Sequence, residues 1–235
     1  MFTRISSITL AILLFLVLLG SRANFYVLGV SVVILIFATL AINFKRLNFT
    51  WPHLLLPSIY LLGVASMFAI ITNPSIRLIF LIAASLTFYF LEMKLGRESH
   101  FLQNIYLLSV FALYLTVFAV EFYFNLKIWL IIILVFIVTY ILAVQGLTGF
   151  SVPAKRYFYF LISLICAQAA WGLSFWPTHF FVNSVVVFCI FYLLWLFSFS
   201  AFFGRLNRQK IYWQIMLIAL VLALTLGTAA WRPLR

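Results

Sequence analysis

The amino-acid sequence predicts an all-α fold, a polytopic bundle of about nine transmembrane helices with no soluble domain. Two features of the composition carry this prediction: 67% of the 235 residues are hydrophobic, and only 8% are charged. A soluble globular domain usually has roughly 25% charged residues and about half apolar ones, and disordered chains contain far fewer apolar residues. The apolar residues form long blocks and do not alternate with polar ones, which excludes the strands of an outer-membrane barrel.

Nine apolar segments, separated by charged or turn-forming sequences, define the predicted helices. A spanning helix needs about 20 mostly apolar residues. The segments that approach this length are residues 5–20, 25–43, 54–72, 76–91, 101–124, 126–146, 156–175, 179–203 and 210–230. Because every loop between them is short, we expect one integral-membrane domain over residues 1–235.

The first segment is, together with residues 76–91, one of the two shortest, and it resembles a signal peptide. A basic residue, Arg4, precedes the apolar run, and the small residues Ser21 and Ala23 follow it at the spacing of a cleavage site. We expect this segment to be retained as a short first helix. If it were removed, eight spans would remain.

The later breaks between helices carry recognisable turn signals. The third and seventh helices end at Asn73-Pro74 and Trp176-Pro177, because the residue before a proline is pushed out of the α region. The breaks after the sixth and eighth helices contain polar, glycine-containing connectors, residues 149–153 and 204–207.

The basic residues of the loops predict the orientation. With nine helices, ten of the 15 Lys and Arg residues fall on one side of the membrane: Arg4, Lys45, Arg46, Lys94, Arg97, Lys155, Arg156, Arg205, Arg208 and Lys210. Cytoplasmic loops carry an excess of basic residues. We therefore expect a multi-pass protein of a plasma or inner membrane, with a cytoplasmic amino terminus and the carboxyl terminus outside.

Small residues at helical spacing predict which helices pack closely. Close approach of two transmembrane helices favours small residues three or four positions apart. Two helices carry such stripes, the seventh with Ser163, Ala167, Ala170 and Ser174, and the ninth with Ala219, Ala223 and Gly227. The sixth helix has no small residue between Ile131 and Val138, and we expect it to lie at the periphery.

The sequence lacks residues that several classes of membrane enzyme need. The chain contains no Asp, which excludes membrane enzymes that bind their metal through Asp-rich motifs. His53, His100 and His179 are widely separated, and Cys166 and Cys189 have no metal-ligand spacing. We therefore predict no metal site and no cofactor.

Glu121, near the outer end of the fifth helix, is the first candidate for a coupling site. Ionisable residues inside a membrane are functional candidates by default. We expect Glu92 and Glu98 to lie beside the basic residues of a cytoplasmic loop, which leaves Glu121 as the acid away from that side. Its two interpretations are a proton or cation site and an interfacial carboxylate near Lys127.

Gln168 and Trp171 form the second candidate, a ligand site in the seventh helix. Gln168 is the most central polar side chain, and Trp171 lies three positions further on, roughly on the same face. The pair would line a ligand pocket if it faces a bundle interior. The simpler interpretation is a hydrogen bond from the amide to a neighbouring helix.

Three functional classes remain after these exclusions, of which we favour the first. It is a non-catalytic membrane subunit or scaffold, acting through helix and lipid contacts. The second is a small transporter of an apolar or weakly polar solute, proton-coupled at Glu121; a faint similarity between helices two to five and six to nine suits it. The third is a lipid-modifying enzyme that uses loop histidines, which lacks a visible acid–base pair.

The expected partners follow from the charge and the helix stripes. The net charge of +12 lies in short clusters between apolar runs, which is typical of cytoplasmic loops that meet anionic lipid head groups. We therefore expect lipids, and a membrane-protein partner or a second copy of the chain, and no nucleic acid.

Overall fold

The computed structural model describes residues 2–21, 25–46, 51–95, 100–147, 155–203 and 208–229. Within these ranges all regular structure is helical, with no strand, and the nine helices are α1 (Phe2–Gly20), α2 (Phe25–Arg46), α3 (Trp51–Ile70), α4 (Pro74–Lys94), α5 (His100–Phe124), α6 (Ile128–Gly146), α7 (Lys155–Leu173), α8 (Phe180–Phe203) and α9 (Arg208–Thr228). Six of the helices in this part of the chain are long and apolar enough to cross a membrane. The predicted fold class is confirmed, and the chain is a multi-pass membrane protein.

Helix ends differ from the predicted ones where charged residues continue a helix. α2 runs to Arg46 and not to residue 43, and α4 runs to Lys94 and not to residue 91. An apolar segment stops at the first charge, but Glu and Lys are good helix formers and extend a helix at little cost. The extension of α4 places Glu92 inside the helix.

Local sequence explains the tight connections before α4 and after α5. Asn73 caps α4: its Oδ1 accepts hydrogen bonds from the backbone N–H groups of Ser75 (3.0 Å) and Ile76 (3.3 Å), and Pro74 occupies the first turn. Asn125 separates α5 from α6 with φ of 50°, a left-handed conformation that Asn tolerates better than most residues.

The chain divides into two compact units, and the first comprises Met1–Leu113. In this unit α1 packs against α2 and α4, and α3 packs against the same two helices. The core includes Phe88, which is fully buried and stacks on Tyr60 with 5.8 Å between ring centroids. The Tyr60 hydroxyl donates a hydrogen bond to the Ala84 carbonyl at 2.8 Å. The expectation of one domain over residues 1–235 stays a prediction.

The second unit comprises Tyr114–Arg235, and its packing follows chain order from α6 to α9. Its largest fully buried side chain is Tyr114 among the described residues. The Tyr114 and Thr139 hydroxyls share a hydrogen bond of 2.8 Å. The Tyr114 ring meets that of Phe191 edge-on, with centroids 6.0 Å apart. These contacts hold α6 and α8 against the second half of α5.

The expectation that α6 lies at the periphery stays a prediction, although one face of this helix is buried. Its most extensive packing is against α7, and Val135, Thr139, Leu142 and Ala143 are fully buried. Ile128, Trp129, Ile133, Ile137 and Ile141 on the same helix are exposed, so α6 has one packed face and one open face.

Candidate functional site

A buried carboxylate–amide pair joins α2 and α4 in the first unit. Glu92 and Asn43 are both fully buried, and Asn43 Nδ2 donates a hydrogen bond to Glu92 Oε1 at 3.0 Å. The expectation that Glu92 belongs to a loop beside Lys94 is therefore wrong. We refer to these two residues as the Asn43–Glu92 pair.

The buried faces of α2 and α4 bring the pair together. On α2 the buried residues recur three or four positions apart and end at Asn43; they are Leu28, Val32, Leu35, Thr39 and Asn43. On α4 the corresponding face is Leu81, Ala84, Ser85, Phe88, Leu91 and Glu92. Residues at this spacing share one side of a helix. The same periodicity that forms the core thus turns both polar side chains inward.

This periodicity was the sequence signal that pointed to Glu92. The residue lies seven positions after Ser85 and four after Phe88, and so continues the inward face of the helix. A competing pattern favours a loop position beside Lys94 and Arg97, because charged residues near the end of an apolar run usually belong to a loop.

An apolar groove lies between α1 and α4 in the first unit. It has a volume of about 370 Å³, with Ile8, Ala11, Ile12, Phe15, Ile82, Ser85, Leu86 and Tyr89 in its walls. The Ser85 hydroxyl is buried there and makes no hydrogen bond to any described residue. The lining suits hydrocarbon rather than a polar solute.

Glu121 lies near the outer end of α5 and is half-buried. The three aromatic residues that follow it, Phe122, Tyr123 and Phe124, are all exposed. Within the part of the chain that the structure describes, Glu121 forms no ion pair with Lys127. Its role as a coupling site stays a prediction.

Gln168 and Trp171 lie on an exposed face of α7. Trp171 is 53% exposed, and its ring contacts Phe175 with 5.7 Å between centroids. The ligand pocket at these residues stays a prediction.

The two small-residue stripes have different surroundings. On α7, Ser163, Ala167 and Ala170 are buried, and Ser174 is half-buried. On α9, in contrast, Ala219, Ala223 and Gly227 are all exposed, and an added Cβ at Gly227 would meet no atom within 4 Å. We refer to these three residues of α9 as the α9 stripe.

Because Val135 is buried and Ala223 is exposed, substitution by leucine should lower the stability of the fold at the first position and not at the second. Val135→Leu adds a methylene to a fully buried position and should destabilise the fold by about 1–3 kcal/mol. Ala223→Leu extends an exposed residue and should leave the isolated chain close to its original stability. Thermal unfolding of both variants in mild detergent measures this, and a lower melting temperature for Ala223→Leu alone contradicts it.

The histidine and cysteine side chains that the structure describes either cap a helix or are buried. His179 Nδ1 accepts a hydrogen bond from the Phe181 backbone N–H at 3.3 Å and so caps α8. Cys166 and Cys189 are buried free thiols. Among the described residues no three His, Cys, Asp or Glu side chains are grouped to hold a metal. The side chains of His53 and His100 lie outside the described residues.

Comparison with known proteins places the chain in one family. No curated protein matches, and no solved structure matches. A family model described as "Protein of unknown function (DUF5656)" matches residues 41–228, which include α3 to α9. Because this match covers most of the chain, the protein belongs to the DUF5656 family.

Proposed function

We propose that the protein is a non-catalytic membrane subunit or scaffold that binds a transmembrane helix of a second polypeptide through the α9 stripe. One observation carries this proposal: α9 packs against α8, and no described residue of the second unit covers the stripe. Ile218 is buried, and the Tyr192 hydroxyl donates a hydrogen bond to Gln214 Oε1 at 2.8 Å. One face of α9 is thus anchored while the face with Ala219, Ala223 and Gly227 is open.

The spacing of the α9 stripe favours a helix as its occupant. Residues 219, 223 and 227 follow one another at intervals of four, which lets a second helix backbone approach closely. Lipid tails accept bulky branched side chains and have no need of such a stripe. A segment that spans a bilayer in contact with lipid must in any case be a helix or part of a closed barrel.

Crosslinking at the stripe tests the proposal. In a background with Cys166→Ala and Cys189→Ala, Ala223→Cys should form a crosslinked species with a short thiol–amine reagent in native membranes. Mass spectrometry of that species then identifies a different polypeptide or a second copy of this chain.

The matched control is Leu224→Cys in the same background. Leu224 is 60% exposed and lies one residue away, about 100° around the helix. We expect little crosslinking there, because this face meets lipid. Equal yields at the two positions, or no crosslinking at Ala223→Cys, contradict binding at the stripe.

The alternative function is transport of an apolar or weakly polar solute, coupled to protons at Glu121. A coupling carboxylate has to face a cavity enclosed by protein. Glu121 is half-buried and is followed by exposed aromatic side chains, which supports an interfacial position. We therefore rank this function second.

The proposed orientation puts the amino terminus in the cytoplasm, where the basic loops bind anionic head groups. In the background without native cysteines, Ser151→Cys and Asn207→Cys should react with an impermeant thiol reagent only after the membrane is opened. Phe175→Cys, in the exposed turn between α7 and α8, should react in intact cells. The reverse pattern would invert the topology.

A further inference from the structure

A basic side chain lies at one end of the two helices that form the apolar groove of the first unit. Arg77, near the start of α4, is half-buried and lines a cavity of about 220 Å³. We refer to this space as the Arg77 cavity; its other walls are Leu19, Phe68, Pro74, Leu78 and Leu81. Because these neighbours are apolar, the guanidinium supplies the charge of the cavity. The proposed function of the α9 stripe makes no use of it.

The guanidinium of Arg77 makes few hydrogen bonds to its own chain. Nε donates a hydrogen bond to the Ile71 carbonyl oxygen at 2.9 Å, and Nη2 donates to the same oxygen. The guanidinium carbon also lies 5.3 Å from the centroid of the Phe68 ring. A guanidinium has five N–H groups, so the remaining three have no acceptor among the described residues.

The positive charge of Arg77 favours an anion at this end of the unit. Its contacts with described residues are to a carbonyl and a ring, and none is to a carboxylate. The acid of the same helix, Glu92, lies 15 positions away towards the other end of α4. The start of α4 adds the positive end of the helix dipole. A guanidinium binds phosphate particularly well, through two parallel N–H···O bonds.

The apolar groove between α1 and α4 begins one helical turn from the Arg77 cavity. On α1, Phe15 of the groove lies four positions before Leu19 of the cavity, and on α4, Ile82 lies four positions after Leu78. From Leu78 to Tyr89 the two spaces extend roughly 16 Å along α4, at 1.5 Å per residue. This length is close to half of the hydrocarbon core of a bilayer, which is about 30 Å thick. The groove therefore suits the acyl chain of a lipid in one leaflet.

We propose that the Arg77 cavity and the groove together bind one lipid with an anionic phosphate head group. The phosphate accepts hydrogen bonds from the Arg77 guanidinium, and one acyl chain lies in the groove between α1 and α4. A zwitterionic lipid carries its own cationic group beside the phosphate, which competes with Arg77. The site thus prefers phosphatidylglycerol to phosphatidylcholine. In the proposed orientation this lipid belongs to the outer leaflet.

Photocrosslinking in mild detergent tests the site. The probe is phosphatidylglycerol with a diazirine on one acyl chain, and mass spectrometry identifies the labelled peptides. Label should concentrate in residues 8–19 and 78–89, and an excess of unlabelled phosphatidylglycerol should remove it. An equal excess of phosphatidylcholine should leave most of the label. Glycerol phosphate, which offers the head group without a chain, should also leave most of it.

Arg77→Gln and Lys127→Gln are matched variants, because each removes one positive charge. Lys127 is exposed and directly precedes α6, on the same side of the membrane as Arg77 in the proposed topology. Arg77→Gln should lower the labelling of the groove about tenfold, the factor for one lost hydrogen bond to a charged group. Lys127→Gln should leave the labelling unchanged, and Arg77→Lys, which keeps the charge, should retain part of it.

A further variant keeps the test independent of a folding defect in Arg77→Gln. Ile82 is 47% exposed in the wall of the groove, and Ile82→Trp fills the groove while Arg77 stays in place, so it should also lose the label. Gel filtration and thermal unfolding without added lipid establish that each variant is folded. Undiminished labelling of the groove in folded Arg77→Gln or Ile82→Trp would overturn the proposal. Equal competition by phosphatidylcholine, or competition by glycerol phosphate, would overturn it as well.

Discussion

Gly63→Leu should cause a large loss of stability, because α3 and α5 touch at this residue. A Cβ atom at Gly63 would lie 2.9 Å from the Ala112 Cβ and 3.5 Å from the Ser109 carbonyl oxygen. Both neighbours belong to the same unit of the structure. The helices must separate to admit any side chain, and such overpacking costs about 1–3 kcal/mol or more. Thermal unfolding in mild detergent should show a clearly lower melting temperature.

Gly29→Leu is the matched control for this prediction. Gly29 also lies inside a helix, but a Cβ there would meet nothing within 4 Å. Replacing an exposed helical glycine removes a helix-propensity penalty of about 1 kcal/mol at most, so the variant should be as stable as the original or slightly more stable. Equal melting temperatures for the two variants would show that the α3–α5 contact is not tight.

Tyr114→Ala should have the largest effect in the second unit. The side chain is fully buried, bonds to Thr139 at 2.8 Å and packs edge-on against Phe191. Truncating a buried aromatic residue typically costs about 3–5 kcal/mol through lost contacts and the cavity left behind. We expect loss of the folded species on gel filtration, or a strongly reduced melting temperature.

Two other tyrosine variants separate packing from hydrogen bonding. Tyr114→Phe keeps the ring and removes the hydroxyl, so it should cost on the order of 1 kcal/mol. Tyr157→Ala removes a side chain that is 79% exposed and should be nearly neutral. A cost for Tyr114→Phe close to that of Tyr114→Ala would mean that the bond to Thr139, and not the ring, stabilises the unit.

The helices themselves were predictable because the core of the bilayer contains no water that could bond to the backbone. A chain that crosses it must bury its backbone hydrogen bonds within each segment, so runs of apolar residues such as 126–146 translate directly into helices such as α6. Errors at the ends arose where Glu92 and Lys94 continue a helix beyond the last apolar residue. The helix propensity of a few residues decides where such a helix ends, and the apolar content of a segment does not show that propensity.

The surroundings of individual side chains were much less predictable. The stripes of α7 and α9 have the same residue types, yet the first is buried in the chain and the second is exposed. In lipid both faces of a helix are apolar. The residue types on a face therefore hardly show whether it contacts another helix or lipid.

The sequence by itself determined the class of the protein, its all-helical architecture and the approximate limits of its helices, since these depend on apolar runs and local turn signals. Only the tertiary structure decided which polar groups meet. Asn43 and Glu92 lie 49 positions apart, on helices that α1 and α3 both contact. Their hydrogen bond requires the rotation of each helix about its axis, and that rotation is set by packing among helices distant in the chain.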